Sequence, residues 1–503
     1  MKIKQNTVFY SALILTASGS LLQLLGFLYR ILLSRAAGAQ ALALFQLANP
    51  VYSLIYACSL SGITLAVTRI CAERKSTGVI RKAFFIFAVI FSALAAPVAL
   101  ASPFVARRIL GDESTLATIL ILLPCLFLTG IENIFKSAFH GIDKVKFPVI
   151  SEITEQIVRI IAVAALFFLL SPASPAFSSA LIAAGMVISE LVSVALLFVM
   201  YLFYKKSITP TKESSPPYSQ IAHIAFPVAC SSLFTRAIGS LCTVLIPQRL
   251  MASGMTHTAA MDIFGTLTGM TVPLLWLPSA FIFPLTTVIM PKLAIGMQNG
   301  DSGYIRRKIG KTLHATSLLA FPALAFLAVM GGKLALLIYG VKSAGNYTLP
   351  LAIDAVFGFF QVVTASLLNG LGMQSRAAFS VSVSGIISLA FIWFGIGTLH
   401  LGINGYISGE IIGSLTAFLI NITGIIGRTR LKIQWRNWLL NPLFGGILVF
   451  FCAKPFYLSF FTFLQNETAA VVFSAAVCTV LYVIFIRLCG VDYKKYFSSI
   501  FTD

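Results

Sequence analysis

Residues 8–29, VFYSALILTASGSLLQLLGFLY, run for 22 positions without a charged side chain. A helix of that length is about 33 Å long, close to the ~30 Å hydrocarbon core of a bilayer. The run exceeds the roughly 7–15-residue apolar stretch of a cleavable signal peptide, although AQA at 39–41 resembles a cleavage site. The stretch therefore predicts a retained first transmembrane helix. Arg30 and Arg35 follow directly, in GFLYRILLSRAAG (26–38).

The rest of the chain repeats the pattern. Of 503 residues, 58% are hydrophobic and 10% are charged, and the mean hydropathy is +0.93. Water-soluble domains carry about 25% charged residues, so this composition excludes one. Runs of helix length, without strand-type alternation, exclude an outer-membrane barrel. Breaks at Gly, Pro and charge clusters predict fourteen transmembrane helices, centred near 21, 57, 95, 127, 160, 191, 235, 275, 324, 358, 388, 415, 448 and 478. The predicted fold class is an all-α polytopic membrane protein.

The net charge of +20 is read as topology. With both termini cytoplasmic, seven of the 36 basic residues fall on outward segments: Arg35, Arg107, Arg108, Arg249, Lys333, Lys342 and Lys454. Five more lie inside spans (Arg30, Arg69, Lys136, Arg159 and Arg236), leaving 24 on inward segments, the bias expected of a multi-pass membrane protein with both termini inside. Basic patches interleaved with aromatics do not occur outside the spans, so no nucleic-acid partner is expected. The eight cysteines are scattered without C-x-x-C spacing and the five histidines are dispersed. No metal site and no cofactor are predicted. GKT at 310–312 has Ile305 where a phosphate-binding loop needs Gly, so ATP hydrolysis is not expected, nor is the chain expected to be an enzyme.

KKSITPTKESSPPYSQ (205–220) has a linker's composition and divides two stretches that resemble each other. AFHGIDKVKFPVISE matches LLNGLGMQSRAAFSV, setting Gly141 against Gly370. GMVISELVSVALL matches GYISGEIIGSLTAFL, setting Gly185 and Glu190 against Gly405 and Glu410. The expected organisation is an N-lobe of six helices (1–205), a cytoplasmic linker (206–219), a C-lobe of six helices (220–431), and helices 13–14 with a cytoplasmic tail (432–503). Two parallel six-helix lobes around a central cavity are a transporter architecture.

Charges in the bilayer cost about 2.5–3.5 kcal/mol each on insertion scales, so they face partners or a wet cavity. Glu132 and Lys136 are spaced for a helical ion pair, as are Glu155 and Arg159. Glu152 suits the first turn of its helix. Arg236 has no acid within four residues of it and needs an anion from elsewhere. Arg30, Arg35 and Arg69 lie nearer span ends, where snorkelling is the plain reading. Arg30, Arg35, Arg69, Arg159 and Arg236 are the candidates for binding a phosphate, since a guanidinium fork suits that anion. Their interior positions suit an anionic substrate with a lipid tail. Glu155, Glu190, Glu410 and Asp262 are candidates for charge pairing or coupling, with simple capping as the plain alternative for Asp262. Pro227, Pro273 and Pro278 are candidate hinges for alternating access.

GFLYRILLSRAAGAQALALFQLANPVYSL, SGITLAVTRICAER, FHGIDKVKFPVISEITEQIVRI and IPQRLMASGMTHTAAMDIFGTLTGMTVPLLWLPSAF resemble the stage V sporulation protein B family of the multidrug/oligosaccharidyl-lipid/polysaccharide exporter superfamily. The resemblance runs nearly end to end. It implies a flippase that moves undecaprenyl-pyrophosphate-linked oligosaccharide or peptidoglycan precursor from the inner to the outer leaflet, for cell-wall or surface-polysaccharide synthesis. The partners implied are the lipid-linked saccharide and membrane lipids, with a monomer working beside wall or polysaccharide synthesis enzymes. Arginines at 30, 35 and 159 and the glutamate at 155 follow the family pattern. The chain departs from it at Tyr29-Arg30, where related precursor flippases have an Arg-Asp step, and at Arg69, where lysine is usual. Three readings compete: a cation-coupled drug exporter of the same fold, which would favour unpaired acids; a membrane scaffold, which would not need intramembrane charges; and a glycosyltransferase, which would show an acidic loop motif.

Overall fold

The computed structural model describes residues 2–74, 79–206 and 216–490. Residues 207–215 of the expected linker, and 491–503 of the expected tail, lie outside the described residues. In hydrocarbon no water can satisfy a backbone amide, so long apolar runs close their hydrogen bonds internally as helices. The described residues accordingly form helices α1 (Lys2–Ser59), α2 (Ser61–Arg74), α3 (Ile80–Leu100), α4 (Ser102–Phe104), α5 (Leu116–Gly141), α6 (Lys146–Leu170), α7 (Pro175–Lys206), α8 (Tyr218–Ala252) and α9 (His257–Thr266). They continue with α10 (Val272–Leu275), α11 (Ser279–Gln298), α12 (Ser302–Tyr339), α13 (Thr348–Gly370), α14 (Gln374–Ala390), α15 (Ile403–Thr429), α16 (Asn441–Leu464) and α17 (Glu467–Leu488). There is no strand among them.

Fourteen helical segments among the described residues are long and apolar enough to cross a membrane. Their division differs from the expected one at two places. The first segment, Ala17–Glu73, has 57 residues, about 85 Å of helix. It contains both helices expected near 21 and 57, divided at Gly38, whose φ of 78° and ψ of 175° interrupt the helix. Only glycine adopts such angles without strain. Conversely, the helix expected near 275 is two segments, His257–Leu275 and Ser279–Gln298.

The chain forms two compact units, Met1–Gly265 and Thr266–Asp503. The expected division fell at 206–219; by packing it falls later, because α8 lies along α1 and α2. The contact is close. A Cβ on Gly62 would sit 2.0 Å from the Ala225 carbonyl oxygen, and Ser53 and Ser240 hydroxyls meet at 3.2 Å. In the first unit, Phe87, Phe91 and Phe127 form an aromatic layer between α3 and α5, with Phe87 against Gly130. In the second, α16 and α17 pack on each other and on α12.

The two units share an internal pattern. In the first, α5 and α6 pack on α7; in the second, α13 and α14 pack on α15. The glycines matched by the sequence repeat hold matching contacts. Gly141 closes α5 onto α2, and Gly370 closes α13 onto α11. Gly185 lies against Val163 of α6, and Gly405 against Gly395 beyond α14.

The candidate hinges differ among themselves. Pro278 lies in the turn between α10 and α11, and Pro273 follows a π-helical turn at 267–271. Pro227, expected to break its helix, does not: α8 is continuous from Tyr218 to Ala252. Proline removes one amide donor, and the remaining hydrogen bonds carry the helix through it.

Gly141→Ala should lower the thermal midpoint more than Gly370→Ala. A Cβ at 141 would meet the Thr68 carbonyl oxygen at 2.5 Å, against 3.0 Å from the Met290 carbonyl oxygen at 370. Overpacking of this kind costs about 1–3 kcal/mol. Melting of the two purified variants, followed by size-exclusion chromatography, checks the order.

Candidate functional site

Three helices of the first unit bring ionisable groups to one place inside the span. α5 supplies Glu132 and Lys136, one turn apart; α6 supplies Glu152, Glu155 and Arg159; α7 supplies Ser189, Glu190 and Ser193. On each helix these positions recur at one- and two-turn spacing, so each set shares a face.

Lys136 is the hub. Its Nζ lies 2.8 Å from Glu132, 3.4 Å from Glu155 and 3.6 Å from Glu152. Arg159 pairs with Glu155 and reaches Glu190 at 3.5 Å. It also donates to Ser189 Oγ at 3.1 Å and to Gln156 Oε1 at 3.4 Å. Ser193 donates to Glu132. Exposure is 2% at Glu132, 3% at Glu190 and 9% at both Glu155 and Lys136, so water does not screen the centre of the network, while half-exposed Glu152 stands at its edge. Such burial is tolerable only because each charge meets an opposite one.

Four carboxylates face two cations, and the network is acid-rich. Oxygens of Glu132, Glu155 and Glu190 come within 4.8 Å of one another, a grouping that dispersed Cys and His had not suggested. Lys136 and Arg159 stand among them and supply positive charge. Glu190 Oε2 is buried with no hydrogen-bond partner.

α1 faces this network with tyrosines. Tyr52 donates to Thr129 Oγ1 of α5 at 3.1 Å. Tyr29 lies within electrostatic reach of both Arg159 and Arg30, and Tyr56 of Lys136, Glu132 and Glu190. Arg236 of α8 is exposed within its span and stacks over Tyr56, its guanidinium carbon 4.7 Å from the ring centroid. It makes no salt bridge among the described residues. The electron-rich aromatic face attracts the guanidinium cation without neutralising it.

The expected phosphate-binding arginines therefore separate. Arg159 is enclosed, with each guanidinium nitrogen engaged, so it is not open to a ligand in this arrangement. Arg69 is exposed and pairs with Glu73 at 2.9 Å, side-chain exposures being 65% and 49%. Arg35 is exposed and Arg30 half-buried. Among the coupling candidates, Glu155 and Glu190 meet in the network. Asp262 is half-buried on α9 with no salt bridge among the described residues, and Glu410 is in the second unit on α15. There Asp354 Oδ1 accepts from Ser414 at 2.8 Å, with Glu410 in electrostatic reach of Asp354. Sequence spacing showed the pairs one turn apart on a helix. It did not show the Lys136–Glu155, Arg159–Glu190 or Arg236–Tyr56 contacts, nor the 3.0 Å His257–Asp112 pair, because these join distant segments.

An all-helical unit that buries an ion-paired, acid-rich network beside an exposed intramembrane arginine defines a polytopic transporter-type membrane protein. The fold agrees. An inward-facing multidrug resistance MATE family transporter of the MOP superfamily superposes with a TM-score of 0.63 at 14% identity, covering 84% of this chain and 100% of its own. The chain belongs to the polysaccharide biosynthesis protein family, whose model matches residues 8–297. It is 24% identical to the stage V sporulation protein B of Bacillus subtilis (strain 168), over 87% of each chain. It is 22% identical to the lipid II flippase MurJ of the same organism, over 75% of each.

Lys136→Met should destabilise the first unit by about 3–5 kcal/mol, since Glu132 and Glu155 would be left buried without their cation. Adding Glu132→Leu should recover part of the loss. Thermal melting of the single and double variants in detergent measures both.

Proposed function

We propose that this chain is a flippase for a saccharide carried on an isoprenoid pyrophosphate, moving it from the inner to the outer leaflet by alternating access. Undecaprenyl-linked oligosaccharide or peptidoglycan precursor is the cargo class. Cell-wall or surface-polysaccharide assembly, including that of the spore, is the setting. Family membership and the similarity to a lipid II flippase support the reading. The observation that carries it is Arg236, a cation inside a membrane span that is exposed, lies 4.7 Å from the centroid of the Tyr56 ring and is answered by no carboxylate among the described residues. A pyrophosphate supplies the missing anion, and its lipid tail explains why the site is built in an apolar chain. Arg30 is the second phosphate ligand in this proposal.

Glu155 and Glu190 take a coupling role. An acid-rich network shifts its balance when a cation or proton joins it, which is how a gradient or the membrane potential (about 2.3 kcal/mol per charge per 100 mV) would bias the cycle. The distribution of Lys and Arg supports a cytoplasmic location for both termini. The chain works as a monomeric transporter in the bacterial plasma membrane, beside wall or polysaccharide synthesis enzymes, and performs no chemistry on its cargo.

Reconstituted into liposomes with a labelled undecaprenyl-pyrophosphate sugar lipid, the wild type should expose the label to the opposite leaflet. Arg236→Ala should slow this at least about tenfold, the scale of one lost charge-assisted contact, without lowering the melting midpoint. Arg236→Lys should recover only part. Arg159→Ala should lower stability itself. Flipping that survives Arg236→Ala would remove the arginine from the site, and no flipping by a stable wild type would remove the cargo.

A further inference from the structure

A second polar site lies in the other compact unit, at the ends of four helices. The start of α12, the last turns of α15 and α17 and the segment between α15 and α16 carry Arg306, Arg428, Arg430, Lys432, Arg436 and Arg487, and Arg306 donates to the Thr429 carbonyl at 3.4 Å. A pocket of about 640 Å³ opens here, lined by Gln434, Trp435, Arg436, Asn437 and Asn441, with Leu488 and Cys489 closing it. Residues 436–440 form a π-helical turn, which packs against α12 through Trp438 on Gly310.

The lining is unusual in what it leaves unanswered. Among the described residues, the side chains of Gln434, Arg436, Asn437 and Asn441 have no hydrogen-bond or ion-pair partner. One guanidinium and three amides thus present donors to a single concavity. The pocket is also at a defined depth. One candidate span begins at Arg436 and another ends at Leu488, so it sits where hydrocarbon gives way to headgroups. Trp435, 61% exposed, is the residue type that anchors at that level. On the hydrocarbon side the surface turns apolar, with Leu440, Phe444 and Leu488 exposed at 40%, 55% and 83%.

We infer that this pocket binds the phosphate headgroup of an anionic phospholipid of the surrounding membrane. Arg436 takes the phosphate bidentately, Asn437 and Asn441 donate to its remaining oxygens or to the glycerol, and the acyl chains lie along Leu440 and Phe444. The surrounding basic residues favour an anionic over a zwitterionic lipid. The site is separate from the charge network of the first unit and does not depend on the cargo.

Native mass spectrometry of the full chain, released from detergent with phosphatidylglycerol or phosphatidylcholine, tests this. The wild type should retain phosphatidylglycerol in at least tenfold excess over phosphatidylcholine. Arg436→Gln/Asn437→Ala should lose that excess, whereas Arg428→Gln, which removes a nearby charge outside the pocket, should keep it. Equal retention by wild type and pocket variant would overturn the proposal. So would loss of the bound lipid on adding inorganic phosphate at millimolar concentration, which would make the pocket a site for free anions. A photoactivatable phosphatidylglycerol on the wild type gives a check that needs no variant: crosslinks should map to 434–441, and crosslinks only elsewhere would sink the assignment.

Discussion

Lys136 meets three carboxylates inside a membrane-spanning bundle, and the first unit is organised around that contact. A lone ammonium or carboxylate at such depth is strongly disfavoured, and no solvent is at hand to relieve it. Each charge on α5, α6 and α7 therefore obliges a partner on a neighbouring helix to stand at the same depth. The network acts as a register mark: it specifies how far each helix slides along the next, which apolar contacts alone would leave loosely determined. Gly185 makes the approach of α6 and α7 possible by admitting Val163.

The same constraint sorts the arginines by what surrounds them. Arg159 is engaged with Glu155, Glu190, Ser189 and Gln156, so its charge is consumed by the fold. Arg69 is satisfied at an exposed surface by Glu73. Arg236 differs because its neighbour is an aromatic face, which steadies a guanidinium without neutralising it. The distinction rests on what surrounds each guanidinium, and all three are the same residue type.

The two units use one packing plan with different chemistry. α5, α6 and α7 correspond to α13, α14 and α15, and the matched glycines occupy matching close contacts. Yet the first trio carries Lys136 and Arg159 among its acids, while in the second Asp354 is answered by a serine hydroxyl. The close backbone contacts match between the two trios, and the buried charged side chains differ.

Much of this was legible from the chain alone. Hydrocarbon leaves helices as the answer to long apolar runs, so residues 8–29 and their successors determined an all-helical, fourteen-span protein. One-turn spacing identified Glu132–Lys136 and Glu155–Arg159, and the Gly141/Gly370 and Gly185/Gly405 matches pointed to the shared packing plan. Spacing along one helix could not show that Lys136 also serves Glu155, that Glu190 closes on Arg159, or that Tyr56 lies under Arg236. Nor could composition show that α8 packs with α1 and α2 across the expected division, or that helix continues through Pro227 and stops at Gly38. Periodicity reports which face of a helix is polar, because that is set within a few residues. Which polar face meets which is set by packing between segments far apart in sequence, and that only the tertiary structure decided.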